Sequence, residues 1–389
     1  MKDHRTEPLD DQIRRIGYAK LIDPWTVEVA FTDGRTQRLT TRSIIIATGA
    51  APFVPPLPGL EDVGQLTSDT MWDKLRDRTE VPKRVVVLGG GPIGTEMAQA
   101  FARLGANVTQ LERGARIMVR EDVEVSALVK ASLQRDGVTV LTDHTALACG
   151  VTDGAKWIEV EYKGQKSRIA FDELIAAVAR APRLTGFGLE DLGIPVGCVV
   201  ESNEYLETNY PNILAAGDVA GPYQFTHVAG HQVWFAAVNA LFGSVQRFRA
   251  DYRVIPRATF CDPEAARVGL NEQAAKAQNI PYEVTHYGMD DLDRAIADGA
   301  TQGVVKVLTV PGKDRILGVT LVGEHAGDLN AEFVLAMKQG LDLGRILGTI
   351  HIYPTLAEAN KYAAGEWRRA LVNPQLLALV ERFHSWRRG

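Results

Sequence analysis

The stretch RVVVLGGGPIGTEMAQAFARLGANVTQLE, residues 84–112, decides the fold of this chain. Arg84–Leu88 and Asn107–Leu111 are rich in β-branched and apolar residues and predict two strands. Between the two predicted strands, apolar residues recur at helical spacing, at Ile93, Met97, Phe101 and Leu104. A strand, a glycine turn, a helix and a second strand in this order predict a βαβ unit with parallel strands.

The glycine turn Gly89–Gly94, with the sequence GGGPIG, has the GxGxxG pattern. Gly89 permits a tight turn, Gly91 lets the backbone approach a pyrophosphate, and Gly94 allows close packing of the helix on the strand. With 36 glycines in 389 residues the pattern alone is weak. Its position after a predicted strand and at the start of a predicted helix indicates a dinucleotide site. The alternative is a tight turn without a ligand.

The residues after the second strand bear on the choice of nucleotide. Glu112 can accept hydrogen bonds from a ribose diol, which favours NAD. Arg113 and Arg116 are suited to the 2′-phosphate of NADP, unless they only form a solvated face. We expect NAD rather than NADP because a carboxylate repels a phosphate, and both nucleotides stay open at this point.

Other segments flank this unit. Strand-like stretches Gly17–Phe31 and Thr36–Thr41 surround an Asp33-Gly34 turn, and Ile44–Ile46 predicts a buried strand before a proline-rich linker at Pro52–Pro58. Further stretches predict strands that complete a parallel sheet with an antiparallel appendage. These stretches lie around Val138–Leu141, Trp157–Tyr162 and Leu174–Val178. The last third predicts an α+β domain, with a hairpin of Val304–Val310 and Ile316–Val322, a helix through Phe333, and an amphipathic helix from Leu371 to Trp386.

A second candidate site follows the sequence ILAAGD, residues 213–218. Gly217 and Asp218 end a predicted strand and place a carboxylate at the carboxyl end of a sheet, where it is suited to hold a polyol. The alternative is an Asx turn. Thr226 and His227 then lead into a helix around Val228–Ala240, whose N-terminus would stabilise negative charge.

Composition excludes several classes of protein. The chain has 43 basic and 48 acidic residues, a net charge of -5, which argues against nucleic-acid binding. It lacks an apolar run of about 18 residues, and its opening, residues 1–15, is charged, so we expect a cytoplasmic protein without a membrane segment. Cys149, Cys198 and Cys261 are too far apart for a disulfide framework or a local redox dithiol, and we expect no metal site.

Five motifs occur in an order typical of one family: Ala47–Gly49 (ATG), the glycine turn, Gly217-Asp218, Asp262–Gly269 and Pro354–Glu358. Together they resemble the flavoprotein disulfide reductases of the pyridine nucleotide-disulfide oxidoreductase class, closest to the branch of mercuric reductase and dihydrolipoamide dehydrogenase. The resemblance runs from about Ile16 to Asn373.

The resemblance implies an α/β fold in which an incomplete FAD domain is interrupted by a Rossmann-like NAD(P) domain and followed by an α+β dimerisation domain. The chain is then expected to be a homodimer. The implied segments are 1–80 (FAD-domain remnant and linker), 81–181 (NAD(P) domain), 182–250 (second FAD segment), 251–372 (dimerisation domain) and 373–389 (helical tail).

The resemblance also implies roles for single residues. Glu96 is expected near the nicotinamide. The residues implied for FAD are Thr48, Gly49, Gly217 and Asp218, with Thr226 and His227 beside the flavin ring.

The sequence departs from the family pattern in four places: the opening segment, Tyr353, the lack of a C-terminal cysteine pair, and Ala179 in the sequence ARAPR, residues 179–183, where relatives have a glycine. The family's own opening GxGxxG and CxxxxC do not occur in this sequence, so we expect impaired FAD binding and little turnover by the chain as it stands. Tyr353 occupies the position where disulfide-reducing relatives have a histidine, and a tyrosine with a pKa near 10 is a poor proton shuttle at neutral pH. Tyrosine at this position resembles mercuric reductases and soluble transhydrogenases.

Three residues near the C-terminus are candidates for acid/base catalysis: Tyr353, Glu358 and His351. Alternatives exist for two of them, since His351 also fits a structural role and the sequence TLAE, residues 355–358, also fits a helix capping box.

The resulting hypothesis is an oxidoreductase that uses FAD and NAD(P) to pass hydride from the nicotinamide to the flavin, and on to a small-molecule or small-protein electron acceptor. The alternatives are a non-catalytic, nicotinamide-binding dimeric remnant and a dithiol-free transhydrogenase or diaphorase.

Overall fold

The structure of the protein is a computed structural model that describes residues 16–389, apart from the side chains of Pro374 and Leu376. The charged opening at residues 1–15, on which part of the expected cytoplasmic location depended, lies outside the described residues. Contacts group the described residues into two compact units, residues 16–51 with 180–252 and residues 52–179 with 253–389. Ala50–Pro52 and Arg180–Pro182 lie where the chain leaves and re-enters the first unit.

The strands are β1 Gly17–Asp23, β2 Thr26–Phe31, β3 Thr36–Thr40, β4 Ile44–Ile46, β5 Ala50–Pro52, β6 Arg84–Leu88, β7 Asn107–Leu111, β8 Thr139–Leu141, β9 Thr145–Thr152, β10 Ala155–Tyr162, β11 Gln165–Phe171, β12 Glu173–Ala176, β13 Arg180–Pro182, β14 Ile213–Ala215, β15 Pro256–Thr259, β16 Glu264–Gly269, β17 Glu283–Gly288, β18 Val304–Thr309 and β19 Ile316–Gly323. The helices are α1 Met71–Leu75, α2 Pro92–Arg103, α3 Val123–Arg135, α4 Thr226–Phe242, α5 Glu272–Ala277, α6 Asp293–Asp298, α7 Ala326–Gln339, α8 Leu343–Leu347, α9 Glu358–Ala370 and α10 Pro374–Arg388, with a 3-10 helix at Met289–Asp291.

The first unit opens with an antiparallel sheet of β1, β2 and β3. The strand-like stretch Gly17–Phe31 is divided into two antiparallel strands, because the chain turns between Asp23 and Thr26, which pair with each other. Pro24 explains the break, since proline has no N–H to donate to a strand ladder. The predicted turn at Asp33-Gly34 is confirmed, with Gly34 at φ +84°.

The first unit also contains a parallel pair of strands, β4 and β14, which positions two of the candidate site segments. β4 lies beside β14, although a long insertion separates them in the chain, and Ala216 N donates to Ile46 O over 2.9 Å. The segments that follow the two strands therefore begin at the same edge of the pair.

The second unit contains the predicted βαβ region. β12, β6, β7 and β8 form a parallel sheet in that order, and β11, β10 and β9 form the antiparallel appendage. Val85, Val86 and Val87 are at most 1% exposed, as expected for a central strand with both faces covered. This part of the fold prediction is confirmed.

The last third of the chain, in the same unit, is a five-stranded antiparallel sheet in the order β15, β16, β19, β18, β17. Phe333 of α7 and Trp367 of α9 belong to the core against the sheet. The predicted hairpin, here β18 and β19, and the predicted tail helix, here α10, are both present. The α/β fold class with an interrupted first domain is confirmed. Among residues 16–389, no helix is both long enough and apolar enough to span a bilayer.

Candidate functional site

The glycine turn has two packed positions and one open position. A Cβ on Gly89 would meet Ala177 O at 2.5 Å, and a Cβ on Gly94 would meet Gly89 O at 2.2 Å. A Cβ on Gly91 would meet no atom within 4 Å. Gly91 is the N-cap of α2, whose first N–H groups have no partner within the helix. The turn therefore fits a pyrophosphate, which would approach the backbone at Gly91.

Glu112 is fixed beside this turn. Its Oε2 accepts a hydrogen bond from Gly90 N at 2.7 Å, and its Oε1 accepts one from Gly114 N at 2.6 Å. A carboxylate oxygen has a further lone pair, so both oxygens can still accept hydrogen bonds from a ribose diol. Arg113 is exposed, whereas Arg116 donates to carbonyl groups of its own loop.

Glu96 is held by a hydrogen bond from a residue of the matched dimerisation domain. Its Oε1 accepts a hydrogen bond from Phe260 N at 2.8 Å. Burial raises the pKa of Glu96, and this hydrogen bond opposes the shift. Its expected place near the nicotinamide stays a prediction.

Thr48 and Gly49 follow β4 and contact the segment after β13. Thr48 Oγ1 donates to Arg183 O at 3.1 Å, and Arg183 N donates to Gly49 O at 2.9 Å. Gly49 has φ +65°, and a Cβ there would have no atom within 4 Å. The backbone at Gly49 therefore leaves room for a ligand group.

Gly217 and Asp218 follow the neighbouring strand β14. Gly217 has φ +81°, and its N–H donates to Gln232 Oε1 at 2.7 Å. Gln232 is fully buried and also donates to Gly221 O at 2.7 Å. Asp218 Oδ2 lies 3.7 Å from Arg180 Nε. The open backbone at Gly49 and the carboxylate of Asp218 fit a polyol such as the ribityl chain of a flavin.

Sequence reasoning missed Gln232. The only signal for it was a polar residue within the small, apolar helix predicted around Val228–Ala240. Thr226 and His227 are exposed in the first turn of α4. The His227 ring stacks on Phe225 with centroids 5.2 Å apart.

Near the C-terminus, His351 is paired with a carboxylate that the sequence did not reveal. Its Nε2 lies 3.0 and 3.2 Å from the two carboxylate oxygens of Glu332, and its Nδ1 lies 3.1 Å from Thr349 O. Only 7% of the His351 side chain is exposed. Asn360 Nδ2 also donates to Glu332 Oε2 at 2.9 Å. Glu332 lies 19 residues before His351, so only the tertiary fold brings the two together.

Tyr353 and Glu358 have different partners. Tyr353 is 65% exposed and donates to Asp293 Oδ2 at 3.0 Å, and this hydrogen bond raises the pKa of Tyr353. Glu358 is 5% exposed, and its Oε2 accepts from Thr355 N at 3.2 Å. Thr355 Oγ1 donates to Ile352 O at 2.6 Å. The capping box is therefore half formed, since Glu358 reaches back and the Thr355 hydroxyl points elsewhere.

One acidic cluster has spacing suited to a metal: ligand oxygens of Asp122, Glu124 and Glu272 lie within 4.8 Å of one another. Lys306 is fully buried among them and donates to all three, with Nζ 2.8 Å from Asp122 Oδ2. Burial lowers the pKa of Lys306, but the three carboxylates outweigh burial and raise it. The same contact lowers the pKa of Glu272 to about 2. The Lys306 ammonium supplies the positive charge of this cluster.

Known families and relatives match most of the chain. The family described as pyridine nucleotide-disulphide oxidoreductase matches residues 11–233, and its dimerisation domain matches residues 255–364. A mercuric reductase of Staphylococcus aureus is 34% identical over 368 residues, covering 92% of this chain and 66% of that protein. A dihydrolipoyl dehydrogenase of Thermus scotoductus is 35% identical over 355 residues, covering 90% of this chain and 74% of that protein.

A solved structure agrees with these relatives. The Cu(II) complex of the HOCl-induced flavoprotein disulfide reductase RclA from Escherichia coli superposes with a TM-score of 0.81 at 26% identity, covering 90% of this chain and 78% of that one. The chain spans 54% of the length of a Bacillus cereus mercuric reductase and 66% of the Staphylococcus aureus protein. With both family segments matched in order, the chain belongs to the pyridine nucleotide-disulphide oxidoreductase family.

Proposed function

We propose that the protein is an oxidoreductase that uses a nicotinamide nucleotide and FAD, and that it is most similar in activity to mercuric reductases. The single observation that carries the proposal is the glycine turn with Gly91 open at the N-terminus of α2 and Glu112 fixed beside it. The chemistry that FAD supplies when bound is the transfer of electrons, received as hydride from the nicotinamide, to an acceptor.

The preferred nucleotide is NADH. The Glu112 carboxylate is bonded to Gly90 of the glycine turn and to Gly114 beside it, and its negative charge would repel a 2′-phosphate. Arg116 has its guanidinium engaged by backbone carbonyl groups, so it is not free to meet that phosphate. Arg113 is the remaining basic residue of the pair and would contact the outer edge of the ribose.

Thr48, Gly49, Gly217 and Asp218 would hold FAD, with Thr226 and His227 beside its ring. Positive φ values at Gly49 and Gly217 support the proposal, since each glycine follows one of two neighbouring parallel strands. The Asp218 carboxylate would accept hydrogen bonds from the polyol chain.

The acid/base candidates are not equivalent. His351 has a carboxylate partner in Glu332, and a carboxylate beside an imidazole orients the ring and sets which ring nitrogen faces it. The raised pKa of Tyr353 makes its proton harder to release at neutral pH. We therefore propose His351 as the proton carrier of the three, with Glu358 and Tyr353 orienting the surrounding segment.

The cysteines favour one alternative, a diaphorase or transhydrogenase that uses flavin without a dithiol. Burial raises the pKa of Cys149 to about 11 and that of Cys261 to about 12, so neither forms a thiolate at neutral pH. Neither of these two residues is suited to relay electrons to an acceptor. Free cysteines are also typical of proteins in a reducing compartment, which supports a cytoplasmic location.

The homodimer is also part of the proposal. The matched dimerisation domain exposes large apolar side chains in one segment, Ile350 at 95% and Ile352 at 78%. A second copy that covered them would remove this apolar area from water. Light scattering tests this, and a monomer at micromolar concentration would contradict it.

The experiment that tests the function is an absorption spectrum of the purified chain after incubation with FAD and desalting, followed by anaerobic addition of NADH and then NADPH. The proposal predicts a retained flavin band that NADH bleaches. A colourless protein that still binds NADH would support the nicotinamide-binding remnant instead. A bleached band with turnover of a dye acceptor, unchanged in the double variant Cys149→Ser/Cys261→Ser, would favour the dithiol-free alternative.

A further inference from the structure

The loop between β7 and α3, residues 113–122, is held together by one side chain and is called the bracing loop below. Arg116 Nη1 donates to Met118 O at 3.1 Å and to Glu121 O at 2.7 Å. Its Nη2 donates to Val119 O at 2.9 Å. The planar guanidinium thus fixes three carbonyl groups of the loop at once, which a lysine ammonium cannot do with the same geometry.

The bracing loop contacts the glycine turn through Met118. Met118 N donates to Gly90 O at 2.7 Å, while Gly90 N donates to Glu112 Oε2 at 2.7 Å. Both backbone polar groups of Gly90 are therefore held. Met118 has φ +52°, a conformation that is unfavourable for a residue with a side chain and persists only when its surroundings enforce it. Arg116 supplies part of that enforcement through the Met118 carbonyl.

The bracing loop also contacts the start of α5, in the matched dimerisation domain. Arg116 Nη2 donates to Gln273 Oε1 at 3.1 Å. Two further bonds run in parallel, from Asn271 Nδ2 to Arg120 O at 3.0 Å and from Gln273 N to Asp122 Oδ1 at 3.2 Å. The same guanidinium therefore contacts both the loop that supports the glycine turn and a side chain of another domain.

We propose that Arg116 is a positioning residue that links Gln273 of the dimerisation domain to the nucleotide-binding turn, so that Gln273 tunes nucleotide affinity without contacting the nucleotide. The proposal rests on the proposed nucleotide site at Gly89–Gly94. Loss of the Gln273 contact leaves the guanidinium free to tilt, which releases the Met118 carbonyl and then the Gly90 peptide. The Gly91 N–H, which would face the pyrophosphate, is next in the chain.

The test is isothermal titration of the full chain with NADH, and with ADP as a probe of the adenosine half. Gln273→Leu removes the acceptor for Arg116, and we expect about three- to tenfold weaker binding of both ligands, the effect of one charge-assisted hydrogen bond. Gln273→Glu keeps an acceptor at the same place and should restore the affinity of the unaltered chain. Gln278→Leu is the matched control, because Gln278 is an exposed glutamine at the C-terminal end of the same helix.

The outcomes separate this inference from the proposed function. Failure of the unaltered chain to bind either NADH or NADPH would contradict the nucleotide site itself. If the unaltered chain binds NADH, equal dissociation constants for Gln273→Leu and Gln278→Leu would overturn the link. A loss in Gln273→Glu as large as that in Gln273→Leu would also overturn it. Weakening of Arg116→Lys by at least as much as Gln273→Leu, with an unchanged melting temperature, would support it.

Discussion

The glycine turn with Glu112 and the segments that follow β4 and β14 are both places where a glycine and a carboxylate follow parallel strands. They differ in how the carboxylate is held. Glu112 is fixed beside the turn by hydrogen bonds from two backbone N–H groups. Asp218 instead lies 3.7 Å from the guanidinium of Arg180. The first arrangement is suited to a neutral diol and disfavours a phosphate, whereas the second is partly neutralised and depends on an ion pair.

The two regions also differ in their origin in the chain. The turn and Glu112 lie within one 29-residue stretch, residues 84–112, so the local pattern predicts their geometry. The split site combines Gly49 with Gly217, which are brought together only by the pairing of β4 with β14. Substitutions in each region can therefore show whether the carboxylate or the glycine backbone controls binding.

The largest expected effect is that of Gly94→Ala. Its new Cβ would lie 2.2 Å from Gly89 O, so the helix must move away from the strand. We expect about 3 kcal/mol lower free energy of unfolding and loss of measurable NADH binding. Gly91→Ala is the matched control for stability alone, because its Cβ meets no atom of the chain within 4 Å. Urea unfolding followed by NADH titration measures both variants, and equal stability loss in the two would contradict the packing described for Gly94.

Next in size is Glu112→Gln. The amide has one oxygen, so one of the two backbone N–H groups loses its acceptor and the negative charge is removed. We expect about tenfold weaker NADH binding, equivalent to about 1.4 kcal/mol, together with a gain in relative affinity for NADPH. Titration with both nucleotides measures this ratio. An unchanged ratio would show that Glu112 does not select the nucleotide.

Asp218→Asn should act on the other region alone. It removes the charge that faces Arg180, and we expect about threefold weaker FAD retention, as for loss of one partly exposed charged contact, with no change in NADH affinity. Equilibrium dialysis against FAD measures retention, with NADH titration as the control. A parallel loss of NADH affinity would show that the two regions are not independent.

The smallest effect concerns pH and Glu96. Burial raises the pKa of Glu96 in the folded chain, so the folded state binds more protons than the unfolded state between the two pKa values. The contribution of Glu96 to the free energy of unfolding is therefore present at low pH. It is lost as the pH rises through the pKa of Glu96 in the folded state. We expect Glu96→Gln to be more stable than the unaltered chain at pH 7 by less than about 1 kcal/mol, with no advantage near pH 4. Thermal unfolding at the two pH values measures this, and the opposite pH trend would contradict it.

Contiguous features were predictable from the sequence. The βαβ unit, the hairpin of β18 and β19, and the turn at Asp33-Gly34 all depend on local periodicity and turn chemistry, and all are present. The break after Asp23 was also readable from Pro24, whose missing N–H is incompatible with a continuous strand.

The partners that hold the sites were not predictable. Gln232, Glu332 and Gln273 act through side-chain contacts with residues distant from them in the chain or in another domain. Apart from the polar position of Gln232 in an apolar helix, no local pattern marks them. Their positions follow from tertiary packing, which brings together helices and loops whose sequences carry no shared signal. The expected domain boundaries and the roles of the individual site residues stay predictions.

The most direct measurement is the calorimetric titration of the unaltered chain with NADH and, separately, with NADPH at the same ionic strength. We expect one site per chain, with NADH bound about tenfold or more tightly than NADPH because Glu112 disfavours the additional phosphate. Tighter binding of NADPH, or binding of neither nucleotide, would contradict it.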